Sequence, residues 1–388
     1  MRLSGFEVIV IGAGVAGLAA ARALAQRGAR VMILEQAAAL EDVGAGIQIS
    51  PNGARVLDAL GQGAALARSG QRSSAVVLRD GRYNTQVLRL SLPQTGPGFH
   101  LLHRADLVGL LRLDDPRVDF RFSTAVRTVA PDGPQPRVTL ADGTALSADM
   151  ILGADGLHSV LRPVIQPDAP PEPFFTGQVA WRALIPGRQD DPAEAQVFMG
   201  PGRHLVSYPL RGGRLRNIVA VEERDAWAQE GWNHADDPQN LHRAFASFGG
   251  PVPDWLAQVD KVWLWGLFRH PVASHWHRGH AVLLGDAAHP TLPFMAQGAN
   301  LALEDAYVLA RTLEDAPDIP TGLAAYQQTR RARVERVVQA ANRNARNYHL
   351  RPPLAQIAHL VLRLSGRLAP NAPLRQFGWI YDHDVTGT

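Results

Sequence analysis

A short apolar run near the start of the chain, Glu7–Ile11, stops at a glycine turn and gives way to helical spacing that lasts to about Arg27, where Gly28 ends it. Residues 30–35 then read as a second buried strand. The order strand, turn, helix, strand is a βαβ unit, which requires a parallel sheet with helices on its faces. Ser50-Pro51 reads as a helix cap followed by proline at the first helical position, and opens a helix to about Leu60. Strands are expected on either side of Asp80-Gly81 over 74–90, a strand leading into a helix over 101–113, several short strands over 120–147, and another buried strand over 150–154. Four prolines within 167–173 mark a crossing between domains. Beyond them, 177–184, 195–199, 204–209 and 215–222 alternate as a mostly antiparallel sheet does, with 262–268 as a further strand. Residues 281–285 return to the buried character of the first strand, and after Gln297 the pattern is helical almost to the end. The expected architecture is α/β. A Rossmann-like dinucleotide-binding domain is assembled from 1–73, 98–170 and 270–320, a mostly antiparallel β-sheet domain comes from 74–97 and 171–269, and 321–388 form a C-terminal helical region.

Three segments carry candidate chemistry. The first is Gly12-Ala13-Gly14-Val15-Ala16-Gly17, which follows a strand and opens a helix. In such a turn the first glycine permits the bend, the second lets a pyrophosphate approach the backbone, and the third lets helix pack on strand. The helix N-terminus offers N–H groups and partial positive charge to the phosphates. Glu35, at the end of the second strand, is placed to accept hydrogen bonds from an adenosine ribose. The other two segments put a glycine-aspartate turn after a buried strand, where α/β folds bind ligands: Gly153-Ala154-Asp155-Gly156, and Gly285-Asp286 leading to Pro293, Gln297-Gly298 and Asn300.

Together the sequences GAGVAG, GADGLHSVLR and GDAAHPTLPFMAQGANLALEDA resemble those of the single-component flavoprotein hydroxylases of the para-hydroxybenzoate hydroxylase type, nearest to the salicylate, 3-hydroxybenzoate and 6-hydroxynicotinate hydroxylases. The similarity runs nearly end to end and takes in Trp181-Arg182 and Tyr381-Asp382-His383-Asp384. It implies FAD as the bound cofactor, NADH or NADPH and O2 as co-substrates, and hydroxylation of a small phenolic or hydroxy-heteroaromatic substrate through a C4a-hydroperoxyflavin. By the same resemblance Asp286 binds the ribityl chain, Asp155 and Gly156 lie near the pyrophosphate and the NAD(P)H approach, and Arg104 contacts the cofactor. Read without the resemblance, Arg104 is a surface arginine beside Asp106, and Arg162 is as well suited to an ion pair as to a cofactor.

The helix opening near Gln297 would turn the backbone N–H groups of Gly298, Ala299 and Asn300 toward the flavin, where its dipole favours an anionic ring. Pro290 and Pro293 stiffen the preceding loop. A phenol reacts better as phenolate, so a base near its hydroxyl is worthwhile. His204 and Tyr208 lie four apart on one expected strand, hence on one face, and are the catalytic candidates. Gln48 is a candidate polar group beside the flavin ring. Salicylate and 6-hydroxynicotinate hydroxylases tend to carry histidine where this chain has Phe294, which removes one route to substrate deprotonation and moves weight onto His204 and Tyr208.

Composition narrows the alternatives. Of 388 residues 46% are hydrophobic and 19% charged, an ordinary globular balance with material for more than one packed unit. Cysteine is absent, which excludes disulfides, thiolate metal sites and cysteine nucleophiles. Lys261 is the only lysine, so a flavin-dependent halogenase, which needs one in its N-terminal half, is excluded. The net charge of +3 comes with no basic tract interleaved with aromatics, so no nucleic-acid partner is expected. The apolar stretch 8–25 is interrupted by Gly12, Gly14, Gly17 and Arg22, and the chain reads as cytoplasmic, a monomer or homodimer without membrane contact. His275, His277 and His280 have no carboxylate spaced to close a metal site, and none is expected. The amphipathic 354–368 segment keeps a quinone-precursor ring hydroxylase as one alternative. An NAD-dependent Rossmann dehydrogenase is the other, though it leaves the Gly285–Asn300 segment without a task.

Overall fold

The computed structural model describes all residues except 1–2, 41–44, 134, 170–171, 226–233, 370–371 and 388. Gly44, and Pro170 and Pro171 of the proline-rich crossing, thus lie outside the described residues.

The opening βαβ unit sits at the centre of a six-stranded sheet. Its strands lie in the order His277–Arg278, Ala281–Leu283, Met150–Gly153, Glu7–Ile11, Arg30–Leu34, Val118–Arg121, and all neighbours are parallel except the first pair. Glu7–Ile11 and Met150–Gly153 are almost wholly buried, as expected of strands covered on both faces. The helix Val15–Ala25 is built largely of alanine, and its small side chains let it pack closely against the helix Gly298–Asp315. Arg22 in its last turn donates to the carbonyls of Leu110, Leu111 and Arg112, closing the C-terminus of the helix Arg104–Leu111.

An eight-stranded sheet stands against this unit, with strands ordered His234–Asp236, Val262–Arg269, Phe174–Pro186, Leu215–Glu223, Arg203–Leu210, Glu194–Gly200, Ala75–Asp80, Gln86–Ser91. Every pairing is antiparallel except that of Glu194–Gly200 with Ala75–Asp80. Its two faces divide with the strand period of two. Val179, Trp181, Ala183 and Ile185 point to one side and pack with Leu241, Phe245, Val252 and Leu256. Leu241, Val252 and Leu256 belong to the helices Pro238–Ala244 and Val252–Leu256, and Phe245 caps the first; the sequence pattern does not announce these helices because each is a turn or two long. Ala180, Arg182 and Leu184 share the other face, where Ala180 packs with Leu292 and Phe294 and Leu184 with Leu101 and Tyr208.

Between the two lies a small sheet, Gly46–Ile49, His100–His103, Gln71–Arg72, whose first strand was not expected either. Ser50 occupies the N-cap position of the helix Pro51–Ala59, but its hydroxyl donates to Asn52 Oδ1 (2.6 Å) and makes no capping bond.

The chain closes on helices Gly298–Asp315, Ile319–Tyr348, Leu354–Leu368, Ala372–Gln376 and Gly378–Tyr381. Leu354–Leu368 lies along the strand Gln86–Ser91 with one face, while Leu354, Ile357, Leu360, Val361, Leu364 and Leu368 stay exposed. Among the described residues no helix is long and apolar enough to cross a membrane.

Charge is buried where these helices meet. Glu304 and Asp305 are fully enclosed. Arg330, also enclosed, forms ion pairs with both, at 2.6 Å to Glu304 and 2.7 Å to Asp305. Arg333 adds 2.7 and 2.8 Å contacts to Glu304, and His289 lies 2.5 Å from Asp305. Although burial opposes ionisation, the arginines and His289 hold both carboxyls below their usual range. Arg330→Met should therefore destabilise the protein by about 3–5 kcal/mol, because two carboxylates lose their shared cation without gaining water. Urea unfolding followed by circular dichroism measures it; a loss below about 1 kcal/mol would mean that Arg333 and His289 suffice.

Candidate active site

The three glycines of the first turn differ in what surrounds them. Gly12 has φ +97°, and a Cβ there would sit 2.6 Å from the Ala154 carbonyl oxygen. A Cβ at Gly17 would sit 2.0 Å from the Gly12 oxygen. These two glycines are demanded by packing. At Gly14 a Cβ would meet nothing within 4 Å, so this position faces open space at the start of the helix Val15–Ala25. The first intrahelical bond runs from Leu18 N to Gly14 O, leaving the N–H groups of Val15, Ala16 and Gly17 without a protein acceptor among the described residues. Glu35 reaches across to this turn: its Oε2 accepts from Ala13 N (2.8 Å) and its Oε1 from Ala37 N (2.9 Å). Each carboxylate oxygen keeps a second lone pair for a sugar hydroxyl.

Asp155 lies under the same turn, its Cα 3.1 Å from where a Gly12 Cβ would be. Its Oδ2 accepts from Val160 N (2.8 Å), its Oδ1 is buried without a partner, and burial pushes the carboxyl up. Arg162, weighed above as an ion-pair or cofactor residue, bonds no carboxylate. It donates to the carbonyls of Ala287, Ala288 and Pro271 and thereby clamps the Gly285-Asp286 turn from beneath.

Asp286 is exposed at the head of that turn, where Gly285 has φ +58°. Close packing of the surrounding protein raises its carboxyl, against the pull of His289 and Arg104. Arg104 is exposed and within electrostatic range of both Asp286 and Arg182. It does not pair with Asp106, which takes a bidentate bond from Arg211 at 2.7 and 3.0 Å.

The helix Gly298–Asp315 has no side-chain cap, and its first backbone bond is Leu301 N to Gln297 O. The N–H groups of Gly298, Ala299 and Asn300 therefore find no protein acceptor among the described residues. The side chain of Asn300 is occupied elsewhere: it accepts from Ser50 N and donates to the carbonyls of Gln48 and Ala296. Any contribution of Asn300 to a ligand falls to its backbone. Pro293–Met295 forms a single turn that brings Phe294, 5% exposed, against the His204 ring at 5.3 Å.

His204 and Tyr208 do project from one face of the strand Arg203–Leu210, but they take different partners. The Tyr208 ring crosses the strand Gly46–Ile49 where a Cβ on Gly46 would lie 2.5 Å from it, and its hydroxyl bonds Gln48. Gly46 N donates to Asn217 Oδ1 (2.7 Å), which fixes that crossing. His204 Nδ1 lies 2.7 Å from His349 Nε2, and His349 Nδ1 lies 3.0 Å from Glu223 Oε1. Burial and the neighbouring His349 hold His204 well below its ordinary value, and burial raises Tyr208, so near neutral pH the imidazole is uncharged and the phenol protonated.

Sequence reasoning gave no role to several neighbours. Arg182 stacks on Trp265 at 3.9 Å, interacts with Tyr208, and has a buried Nε with no hydrogen-bond partner. Burial lowers it to about 10, which still leaves it charged at neutral pH. Its even-numbered place on a strand with Trp181 was the available signal. His349 and Asn217 had none, since their partners are distant in sequence. Of the three histidines set aside above, His275 bonds Ser274 and lies within electrostatic range of His277, while His280 bonds the Asp149 carbonyl.

Two uncapped helix N-termini, a ribose-competent Glu35 and an open Asp286 fit an extended dinucleotide. The comparisons with known proteins decide which. Residues 5–341 match the family described as FAD binding domain. The chain is 36% identical to 3-amino-4-hydroxybenzoate 2-monooxygenase of Streptomyces cremeus over 89% of its length and 88% of the relative's. It is 32% identical to 3-hydroxybenzoate 6-hydroxylase 1 of Aquipseudomonas alcaligenes over 98% of both. The solved structure of Klebsiella pneumoniae HpxO complexed with FAD and uric acid superposes with a TM-score of 0.81 at 27% identity, covering 95% of this chain and 96% of that one. The chain belongs to the FAD-dependent aromatic-ring monooxygenases. Its cofactor is FAD and its reductant a nicotinamide. Neither an NAD-dependent dehydrogenase nor a quinone-precursor ring hydroxylase is supported by these relatives.

For this monooxygenase the glycine turn gives a test that separates folding from binding. Gly14→Ala should fold with wild-type stability yet retain FAD at least tenfold more weakly, since its methyl enters the open space. Gly17→Ala should lose stability itself, because a carbonyl already occupies the position. Bound-flavin absorbance after gel filtration, set beside thermal unfolding of the apoprotein, checks both; equal FAD retention by Gly14→Ala and wild type would place the pyrophosphate elsewhere.

Proposed function

We propose that this flavoenzyme hydroxylates a small phenol bearing a carboxylate, a substrate of the hydroxybenzoate class. The observation that carries the reading is Arg182, a charged guanidinium with an unpartnered Nε, placed beside Tyr208, whose hydroxyl bonds Gln48, on the inner face of the eight-stranded sheet. The curated relatives support it, since 3-amino-4-hydroxybenzoate and 3-hydroxybenzoate both carry a phenol and a carboxylate on one ring.

In this reading Arg182 takes the carboxylate by charge-assisted hydrogen bonds, with Trp265 holding the guanidinium plane. Tyr208, kept protonated, donates or accepts one hydrogen bond at the ring, and Gln48 fixes its rotation. His204, kept neutral, accepts the phenol proton. Phe294 makes the wall beside His204 apolar and helps keep water out. The residues that would hold FAD are the N–H groups at Ala16 and Gly17 for the pyrophosphate, Glu35 for the adenosine ribose, Asp286 for the ribityl hydroxyls, Asp155 for the shape of the turn, Arg104 for a contact at the cofactor, and the N–H groups of Gly298, Ala299 and Asn300 for the anionic edge of the reduced ring. Pro293 stiffens the loop before them. Bound FAD supplies the transfer of one oxygen atom from O2 to the ring at the expense of NADH or NADPH. The proposed setting is the cytoplasm, with the protein a monomer or homodimer.

A panel of hydroxybenzoates, hydroxypyridines and unsubstituted phenols, followed by NAD(P)H consumption, hydroxylated product and peroxide together, tests the reading. Hydroxybenzoates should give product, and Arg182→Gln should raise their KM by about tenfold or more while leaving carboxylate-free phenols unchanged. His204→Ala and Tyr208→Phe should slow hydroxylation with FAD still bound. Equal turnover of phenols and hydroxybenzoates, or an Arg182→Gln variant with unaltered KM for both, would overturn it.

A further inference from the structure

The acid–base chain beginning at His204 does not end there. His204 is 1% exposed, and its Nδ1 meets His349 Nε2 at 2.7 Å. His349 comes from the far end of the 30-residue helix Ile319–Tyr348, just past its last turn, and its Nδ1 meets Glu223 Oε1 at 3.0 Å. Glu223 is the last residue of the strand paired with that of His204, and its side chain is 40% exposed. Three contiguous groups therefore run from the enclosed face of the sheet to water.

The tautomers follow from the outer end. An ionised carboxylate only accepts, so His349 Nδ1 carries the proton that bonds Glu223. His349 Nε2 is then the acceptor, and His204 Nδ1 must donate to it. His204 Nε2 is left with a lone pair, and no hydrogen bond from a described residue occupies it. Around this chain the facing groups are Tyr348 and Phe294 against His204, Arg203 near His349, and Arg351 3.6 Å from Glu223. Arg203 and Arg351 oppose the accumulation of positive charge, which favours passage of a proton over its storage.

We propose that His204, His349 and Glu223 form a proton relay between the substrate hydroxyl and solvent. The inference rests on the substrate reading above. In the outward direction the phenol O–H bond breaks and its proton joins His204 Nε2, the Nδ1 proton of His204 passes to His349 Nε2, and the Nδ1 proton of His349 passes to Glu223, which releases it to water. The phenolate keeps the electron pair. One proton leaves the site and each histidine exchanges its tautomer, so charge balances. A proton returning along the same path restores the starting tautomers. His349 and Glu223 act through His204 and are positioning and relay residues.

The test uses the oxidised FAD holoenzyme without reductant. Rapid mixing with 3-hydroxybenzoate or 4-hydroxybenzoate in weak buffer is followed in two signals: flavin absorbance for ligand arrival and a pH indicator dye for the released proton. In the wild type the proton should appear with the ligand. In His349→Gln its release should slow by about tenfold or more, and in Glu223→Gln, a surface change with little risk to folding, by severalfold, while the flavin signal keeps its wild-type rate. A residue needed only for shape would slow both signals together. Ligand arrival with proton release at the wild-type rate in both variants overturns the relay alone. Absence of any flavin signal with either hydroxybenzoate in the wild type overturns the substrate reading, and the relay with it.

Discussion

Two neighbouring carboxylates, Glu304 and Asp305, are buried together in the first turns of the helix Gly298–Asp315, and the arrangement of the site follows from how they are satisfied. Consecutive positions on a helix point about a quarter turn apart or more, so the two side chains diverge toward different segments. Asp305 accepts from Gly285 N and His289, fixing both ends of the turn that presents Asp286. Glu304 accepts from Asn52, which with Ser50 and Gln297 anchors the end of the strand bearing Gln48. Arg333 continues to the carbonyls of Trp379 and Ile380 and ties down the C-terminal segment. Each segment is held by a charge that cannot go unpaired without a cost of several kcal/mol, so the turn, the strand and the helix N-terminus keep one relative placement. A site that must grip an extended cofactor at several points needs such fixity more than it needs stability as such.

The second constraint is the strand period. On Phe174–Pro186 the odd residues fill an apolar core with two short helices, which frees the even positions to carry Arg182 toward the cleft. On Arg203–Leu210 the same alternation sends His204 and Tyr208 inward and Leu205 outward. The sheet is thus stabilised on one face and specialised on the other. The approach is close enough that Tyr208 lies across Gly46, and any side chain there would displace the ring.

These features were unequally legible in the sequence. The βαβ unit, the glycine turn and Glu35 could be read because each is local: spacing and residue type within about 25 positions fix the geometry. The same is true of the alternation that puts His204 and Tyr208 on one face. The strand Gly46–Ile49 was missed because four residues containing a glycine and a glutamine carry no period. Arg162 looked like a cofactor or ion-pair residue, and only the fold shows its guanidinium spent on three carbonyls. Asn300 was expected at the cofactor, but its side chain is committed to Ser50, Gln48 and Ala296. In each case the deciding partner lies more than a hundred residues away or on the backbone, and neither leaves a trace in residue type. His349 is the clearest instance, separated from His204 by 145 positions.

What distinguishes the inner face is which of its groups can change charge. Its cations are arginines, and even the depressed Arg182, at about 10, remains protonated across the physiological range. Tyr208 is pushed up and stays neutral, while His204 is pushed down and stays neutral as well. At neutral pH Arg182 gives the face a fixed positive charge, and neither His204 nor Tyr208 changes its own charge there. A bound hydroxyaromatic acid brings one carboxylate, which the arginine neutralises, and one phenol, whose proton is the single movable charge in the enclosure. The positive field of Arg182 and Arg104 lowers the cost of forming a phenolate there. Losing that proton still requires an acceptor in contact with water, because a histidinium sealed beside Phe294 and Tyr348 would meet the same desolvation that keeps His204 neutral. The contact from His204 through His349 to a half-exposed carboxylate answers that requirement with residues already in place.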